Sequence, residues 1–195
     1  LAPLETVKEF AIGISAYARA RDPARAIALW DEMHTRELEP DVICFNAAIS
    51  ASGWERAIEL LGEMRARGLA PDAVSFNGAI AACRKGLEWE RALELLDEMR
   101  ESGPAPSVHS FNAAITACEK AGQWERAPPL LDELREGSGP APNVVSFNAA
   151  ISACEKGGQW ERALALLQEA QARGLKPDAY SFSAAMAACK EGGQW

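Results

Sequence analysis

Four times along this 195-residue chain an asparagine directly follows a phenylalanine: Phe45-Asn46, Phe76-Asn77, Phe111-Asn112 and Phe147-Asn148. Phe182-Ser183 repeats the pairing with a hydroxyl, and Phe10-Ala11 loses the polar group. An asparagine amide carries an NH2 donor and a carbonyl acceptor, the mixed pattern that can face a pyrimidine edge. Three residues ahead of each Asn or Ser stands Ile43, Val74, His109, Val145 or Tyr180. Asp41, Asp72, Ser107, Asn143 and Asp178 recur at the heads of the same segments. They are good helix N-caps, and capping alone accounts for them. It does not account for the asparagines, since Asn is a mediocre helix former. The plain alternative to ligand contact is a hydrogen bond from each Asn to a neighbouring repeat.

A basic residue holds one register as well: Arg19, Lys85, Lys120 and Lys156. These residues can contact phosphates along one ridge, or can be solvated cations at helix C-termini, where the helix dipole favours positive charge. The whole chain carries a net charge of −8, which argues against a generally polyanion-binding surface. The segments holding the Phe-Asn pairs are different. They carry seven basic and four acidic residues, so the acidity is concentrated elsewhere.

Other chemistries are poorly served. Cys83, Cys118, Cys154 and Cys189 recur with the period, and Cys44 makes an odd total of five. There is no C-x-x-C, and equivalent positions of successive repeats do not fall within the ~4.4–6.8 Å Cα separation of a disulfide. Buried structural thiols in a reducing compartment are expected. His34 and His109 are too few and too distant in sequence for a catalytic pair. No phosphate-loop, H-x-E or H-E-x-x-H motif occurs, so neither catalytic residues nor a metal or cofactor site is expected, and no enzymatic activity. No apolar run approaches the ~20 residues of a membrane span, and nothing indicates a small-molecule substrate.

The elements that position these residues are repeats. The phenylalanines from Phe10 to Phe182 are spaced by 35, 31, 35, 36 and 35 residues. A W-E-R-A element follows four of them, at Trp54, Trp89, Trp124 and Trp160, and Trp195 ends the chain. Such a period is the signature of a solenoid. In one unit an N-cap such as Asn143 opens an apolar segment, Gly157-Gly158 breaks it, and a second amphipathic segment starts near Gln159. Gly174 with Pro177, Gly68 with Pro71 and Gly103 with Pro104 read as helix stops. Glu37 replaces this glycine in the first unit, whose second helix is expected to end less cleanly. The fold class is therefore all-α: an α-solenoid of tandem helix–turn–helix repeats wound as a right-handed superhelix. The units are 7–41, 42–72, 73–107, 108–143 and 144–178, with a first helix alone over 179–195 and a leading edge over 1–6, so the chain reads as a fragment. The 31-residue unit lacks about one helical turn and is expected to have a short first helix. Pro128-Pro129 falls inside the second helix of unit 108–143, which is expected to restart at Pro128 after a distorted turn over 124–127.

The units resemble pentatricopeptide repeats. The likeness rests on Phe147-Asn148, Cys154 with Lys156, the stretch from Ala163 to Glu169, and Gly174 to Asp178, repeated in tandem over 7–195. The resemblance implies binding of single-stranded RNA, one base per repeat, on first helices that line a concave face. It assigns base specification to pairs formed by the residue after the aromatic and the last residue of the repeat. These are Asn46/Asp72 for uracil, Asn77/Ser107 for cytosine, Asn112/Asn143 for a pyrimidine and Asn148/Asp178 for uracil, with Ser183 beginning a further pair. The implied target is a pyrimidine-rich run near 5′-UCYU-3′. The resemblance makes Ile43, Val74, His109, Val145 and Tyr180 the base-bracketing residues, and implies a role in RNA processing, stabilisation or editing in a mitochondrion or chloroplast. The alternative function is a protein–protein scaffold that uses the same face to hold protein partners.

Overall fold

A computed structural model of the chain describes residues 6–136 and 141–193. Trp195 and most of the leading edge over 1–6 lie outside the described residues. Among the described residues, eleven α-helices and one 3-10 turn (Trp124–Arg126) make up the regular structure. In order the helices are α1 Val7–Arg19, α2 Pro23–Thr35, α3 Val42–Ala51, α4 Trp54–Ala66, α5 Ala73–Gly86, α6 Trp89–Glu101, α7 Val108–Lys120, α8 Ala127–Glu136, α9 Val144–Lys156, α10 Trp160–Ala172 and α11 Ala179–Glu191. No helix among the described residues is long and apolar enough to cross a membrane.

The odd-numbered helices pack in a row, α1 on α3, α3 on α5 and so on to α11. Each even-numbered helix wedges between two members of that row, as α4 does between α3 and α5. No two even-numbered helices approach each other at backbone distance. Two rows of unequal spacing must bend, and the tighter row lies on the inner side. The odd helices are packed so closely because Phe10, Phe45, Phe76 and Phe147, with Ile14, Ile49, Ile80 and Ala79, are buried in one continuous core. A lone helix pair could not cover that stripe, whereas its neighbours do.

Trp54, Trp89, Trp124 and Trp160 are half-buried against this core, whereas Trp30 is buried inside it. Three of them, Trp54, Trp124 and Trp160, lie on the end of the next odd helix, where a glycine leaves room. A Cβ on Gly86 would sit 2.4 Å from Trp54, one on Gly157 2.3 Å from Trp124, and one on Gly192 2.3 Å from Trp160. The helix-breaking reading of Gly157-Gly158 is therefore divided between the two. Gly158 takes the left-handed turn at φ 65°, and Gly157 admits an indole.

Helix ends give two corrections. Glu37 adopts φ 56°, and α2 closes with Glu37 N–H on the His34 carbonyl and Leu38 N–H on the Met33 carbonyl. The same two bonds close α4 around Gly68, at φ 76°. The end is as clean as with glycine, and the left-handed Glu37 costs about 1–2 kcal/mol of local strain. Gly103, by contrast, is not a left-handed stop. Ser102 and Gly103 both donate to the Glu98 carbonyl, and Gly103 is required by proximity, a Cβ there falling 2.9 Å from the Met99 Cα.

α3 has 10 residues where the other odd helices have 13 or 14. Around the proline pair, Trp124–Arg126 form a 3-10 turn and α8 begins at Ala127, one residue before Pro128. Both prolines thus occupy the first turn of α8, where a missing N–H breaks no helical bond.

Candidate functional site

The heads of the odd helices are built the same way. The side chains of Asp41, Asp72, Ser107, Asn143 and Asp178 each accept from the backbone N–H three residues on. In α5, α7, α9 and α11 the residue there is Ser75, Ser110, Ser146 or Ser181, whose hydroxyl accepts from the cap's own N–H. These serines are buried. Sequence reasoning gave them no role, yet three of them reach across to the preceding odd helix. Ser75 donates to Asn46 Oδ1 at 2.5 Å, Ser110 to Asn77 Oδ1 at 2.6 Å, and Ser181 to Asn148 Oδ1. The signal was in the sequence: Ser precedes Phe in every one of these segments.

The asparagines also meet the caps. Asn46 Nδ2 donates to both carboxylate oxygens of Asp72, at 3.1 and 3.3 Å, and Asn148 Nδ2 does the same to Asp178 at the same distances. Asn, Asp and Ser thus form a closed triangle across two helix pairs. One N–H of each amide and one lone pair of each carbonyl stay uncommitted. Asp72 is pushed up by burial, but the N–H and hydroxyl of Ser75 and the Asn46 amide outweigh this and hold it below its ordinary value. Asp178 is held down by the N–H and hydroxyl of Ser181, with Asn148 adding to them.

The other pairs differ. Ser107 turns to Ser110 at 3.1 Å, and its hydroxyl makes no bond to Asn77. Asn112 is buried and donates to Asn143 Oδ1 at 3.3 Å, while Ser146 donates to Asn143 as well. The Asn112 Oδ1 is left buried without a partner. Ala11 is buried and contributes no polar group, and Ser183 is exposed at the head of α11.

Ile43, Val74, Val145 and Tyr180 are 55% to 64% exposed, in a protein whose other large apolar side chains are mostly buried. His109, in the same register, is exposed too. Between Ile43 and Val74 opens a cavity of about 420 Å3, with Asn46 in its wall and Ser15, Arg19 and Ser50 also lining it. The missing turn of α3 leaves this opening, since α3 stops where α1 and α5 continue.

The basic ridge is not uniform. Arg19, Lys85, Lys120 and Lys156 are all exposed. Lys85 and Lys120 form no ion pair among the described residues, and Arg19 donates only to the Ser15 carbonyl. Lys156 is paired with Glu119 at 2.5 Å.

A second ladder escaped sequence reasoning, although its arginines keep the repeat register. Arg65 pairs with Glu98, Arg100 with Glu133 and Arg135 with Glu169, each joining successive even helices. Each guanidinium also lies 5.6–5.7 Å from the ring centre of Phe76, Phe111 or Phe147. His34 takes this place in the first pair, 3.6 Å from Glu63. The ladder spans the gap that the widely spaced even helices leave. Cys44, Cys83, Cys118 and Cys154 are buried free thiols, pushed up by burial to about 12 for Cys44 and about 11 for the other three.

A family model described as the pentatricopeptide repeat domain matches residues 9–55, 59–121 and 94–159, and one described as the PPR repeat family matches 142–191. The chain belongs to the pentatricopeptide repeat family. No curated protein matches it. Among solved structures it is similar to the pentatricopeptide repeat protein PPR10 from maize, with 27% identity and a TM-score of 0.80 over 98% of this chain and 29% of that one. It is also similar to PPR10 in complex with an 18-nucleotide psaJ RNA element, with 25% identity and a TM-score of 0.77 over 96% of this chain and 28% of that one. The PPR domain of Arabidopsis thaliana protein-only RNase P 1, in complex with tRNA, shares the fold at 14% identity and a TM-score of 0.74, over 91% of this chain and 95% of that domain. The chain thus spans under a third of the PPR10 protein that it matches.

Proposed function

We propose that the inner row of odd helices binds single-stranded RNA, one nucleotide per helix pair. The observation that carries this reading is the recurrence of exposed apolar side chains around a partly committed amide, seen most fully in the cavity where Ile43 and Val74 flank Asn46. A base fits between two such side chains by stacking, and its edge meets the free N–H and lone pair of the asparagine. Arg19, Lys85 and Lys120 lie where they can meet phosphates. PPR10, bound to RNA in its own structure, is a relative of the same fold.

Asn46/Asp72 and Asn148/Asp178 have the same geometry and so should select the same base, for which the family resemblance implies uracil. With cytosine at Asn77/Ser107 and a pyrimidine at Asn112/Asn143, the target is near 5′-UCYU-3′. The resemblance alone supports a role in RNA processing, stabilisation or editing in a mitochondrion or chloroplast. Stacking provides ~1–3 kcal/mol per base, and association itself costs at least ~4 kcal/mol, so a few repeats bind weakly. The chain's net charge of −8 favours the second reading, a protein scaffold on the same face. Fluorescence anisotropy of a labelled 5′-UCUU-containing RNA against oligo-A decides between them. Selective binding that Asn148→Ala weakens supports RNA reading, and equal, mutation-insensitive affinity for both RNAs supports the scaffold.

A further inference from the structure

A chain of hydrogen bonds crosses the last three odd helices and ends on a base-bracketing residue. The Tyr180 hydroxyl of α11 donates to Ser152 Oγ of α9 at 3.2 Å. Ser152 in turn donates to Glu119 Oε1 of α7 at 3.2 Å. The same Glu119 oxygen lies 2.5 Å from Lys156 Nζ, which also donates to the Glu119 backbone carbonyl at 3.1 Å. Glu119 and Ser152 are buried, and Tyr180 is 55% exposed. The buried Glu119 carboxylate thus accepts from a hydroxyl and is paired with an ammonium, and breaking a buried pair by removing one partner is costly. No other position of the basic ridge has such a partner. Lys85 and Lys120 form no ion pair among the described residues, whereas Lys156 interacts with Glu155 as well as with Glu119.

We infer that Glu119 is a positioning residue that divides the RNA-binding face into two parts. It withdraws Lys156 from phosphate contact and, through Ser152, fixes the Tyr180 ring as a stacking platform beside Val145 and Asn148. The nucleotide at Asn148/Asp178 is then held by stacking on an anchored ring, while nucleotides nearer the N-terminus are held by Arg19, Lys85 and Lys120. The inference rests on the RNA-binding reading.

The substitution Glu119→Gln separates the two roles, because an amide oxygen still accepts from Ser152 but no longer holds an ammonium. The salt dependence of binding to 5′-UCUU-containing RNA is measured for wild type, E119Q, K156Q, K120Q and Y180F. Each phosphate contact to a single strand contributes a slope of about 0.7 in log K against log salt. E119Q should bind several-fold more tightly with a slope steeper by about one contact, and E119Q combined with K156Q should return to the wild-type slope. K156Q alone should leave the slope unchanged, where K120Q lowers it. Y180F should weaken binding severalfold at unchanged slope. The idea is overturned if K156Q flattens the slope as K120Q does, or if E119Q leaves both affinity and slope at wild-type values. A readout without RNA stands beside these. The Lys156 ammonium should give a slowly exchanging NMR signal in the wild type and lose it in E119Q; identical signals in both proteins would contradict the ion pair. A chain that binds no RNA at all would overturn the RNA-binding reading, and the NMR contrast would still decide whether Glu119 holds Lys156.

Discussion

Asn148 donates its amide to both carboxylate oxygens of Asp178, 3.1 and 3.3 Å away, across 30 residues of chain. The bond locks a residue of α9 to the cap of α11, so the amide is oriented before any ligand arrives. Pre-orientation reduces the entropy lost on binding. Asn148→Ala should therefore weaken binding of 5′-UCUU-containing RNA by up to about tenfold, the equivalent of one lost hydrogen bond of ~0.5–1.5 kcal/mol. Asp178→Ala should also weaken it, and the double variant should be no weaker than Asn148→Ala alone, because both act through one contact. Titration of the three variants by anisotropy checks this, and additive losses would refute the shared contact.

The carboxylates make stability depend on acidity with a definite sign. Asp72 is held below its ordinary value in the fold. A depressed carboxyl contributes stability that is fully present above its unfolded value, about 3.9, and lost as pH falls through the folded value. Thermal melts of wild type and Asp72→Asn should differ at pH 6 to 7 with wild type the more stable. The difference should shrink below about pH 4. A gap that widens on acidification would contradict the assignment.

Gly157 is expected to be intolerant of a methyl group. A Cβ there would fall 2.3 Å from Trp124 Cγ and 2.4 Å from Cδ2, ring atoms with little freedom to yield. Gly157→Ala should destabilise the array by about 1–3 kcal/mol, the range for overpacking a filled site. Urea denaturation followed by tryptophan fluorescence measures this, and an unchanged midpoint would refute the packing.

Much of the architecture was legible because a solenoid repeats its signals. The 35-residue Phe period, the N-caps and the W-E-R-A elements all mark helices that the structure contains. Left-handed turns were less legible, since Glu37 shows that any residue can take the position when the surrounding bonds demand it, and Gly103 shows that a glycine can serve proximity instead. Within the site, sequence located the asparagines, the caps and the register of exposed side chains at Ile43, Val74, His109, Val145 and Tyr180. It missed the serines that tie them together, because a serine recurring ahead of Phe marks a position without showing which side chain it reaches. It also did not distinguish Lys156 from Lys85 and Lys120, because the Glu119 that holds Lys156 belongs to another helix pair, 37 residues away.

The cysteines provide an independent check of the core. Cys44, Cys83, Cys118 and Cys154 are buried with thiols pushed up to about 11 or 12, whereas Cys189 is only partly buried. The thiolate is the reactive form. At pH 8 in the folded protein, a thiol reagent should label Cys189 far faster than the other four, and all five should react after unfolding. Rapid labelling of Cys118 or Cys154 in the native protein would contradict their burial.

The central claim, that oriented amides between exposed apolar side chains read bases, is tested most directly at the cavity around Asn46. Two labelled RNAs differing only in the base placed there, uracil against adenine, are titrated against wild type and Asn46→Ala. The expected result is a clear preference of the wild type for uracil that Asn46→Ala abolishes. Equal affinity of the wild type for both RNAs, or a preference that survives Asn46→Ala, would contradict it.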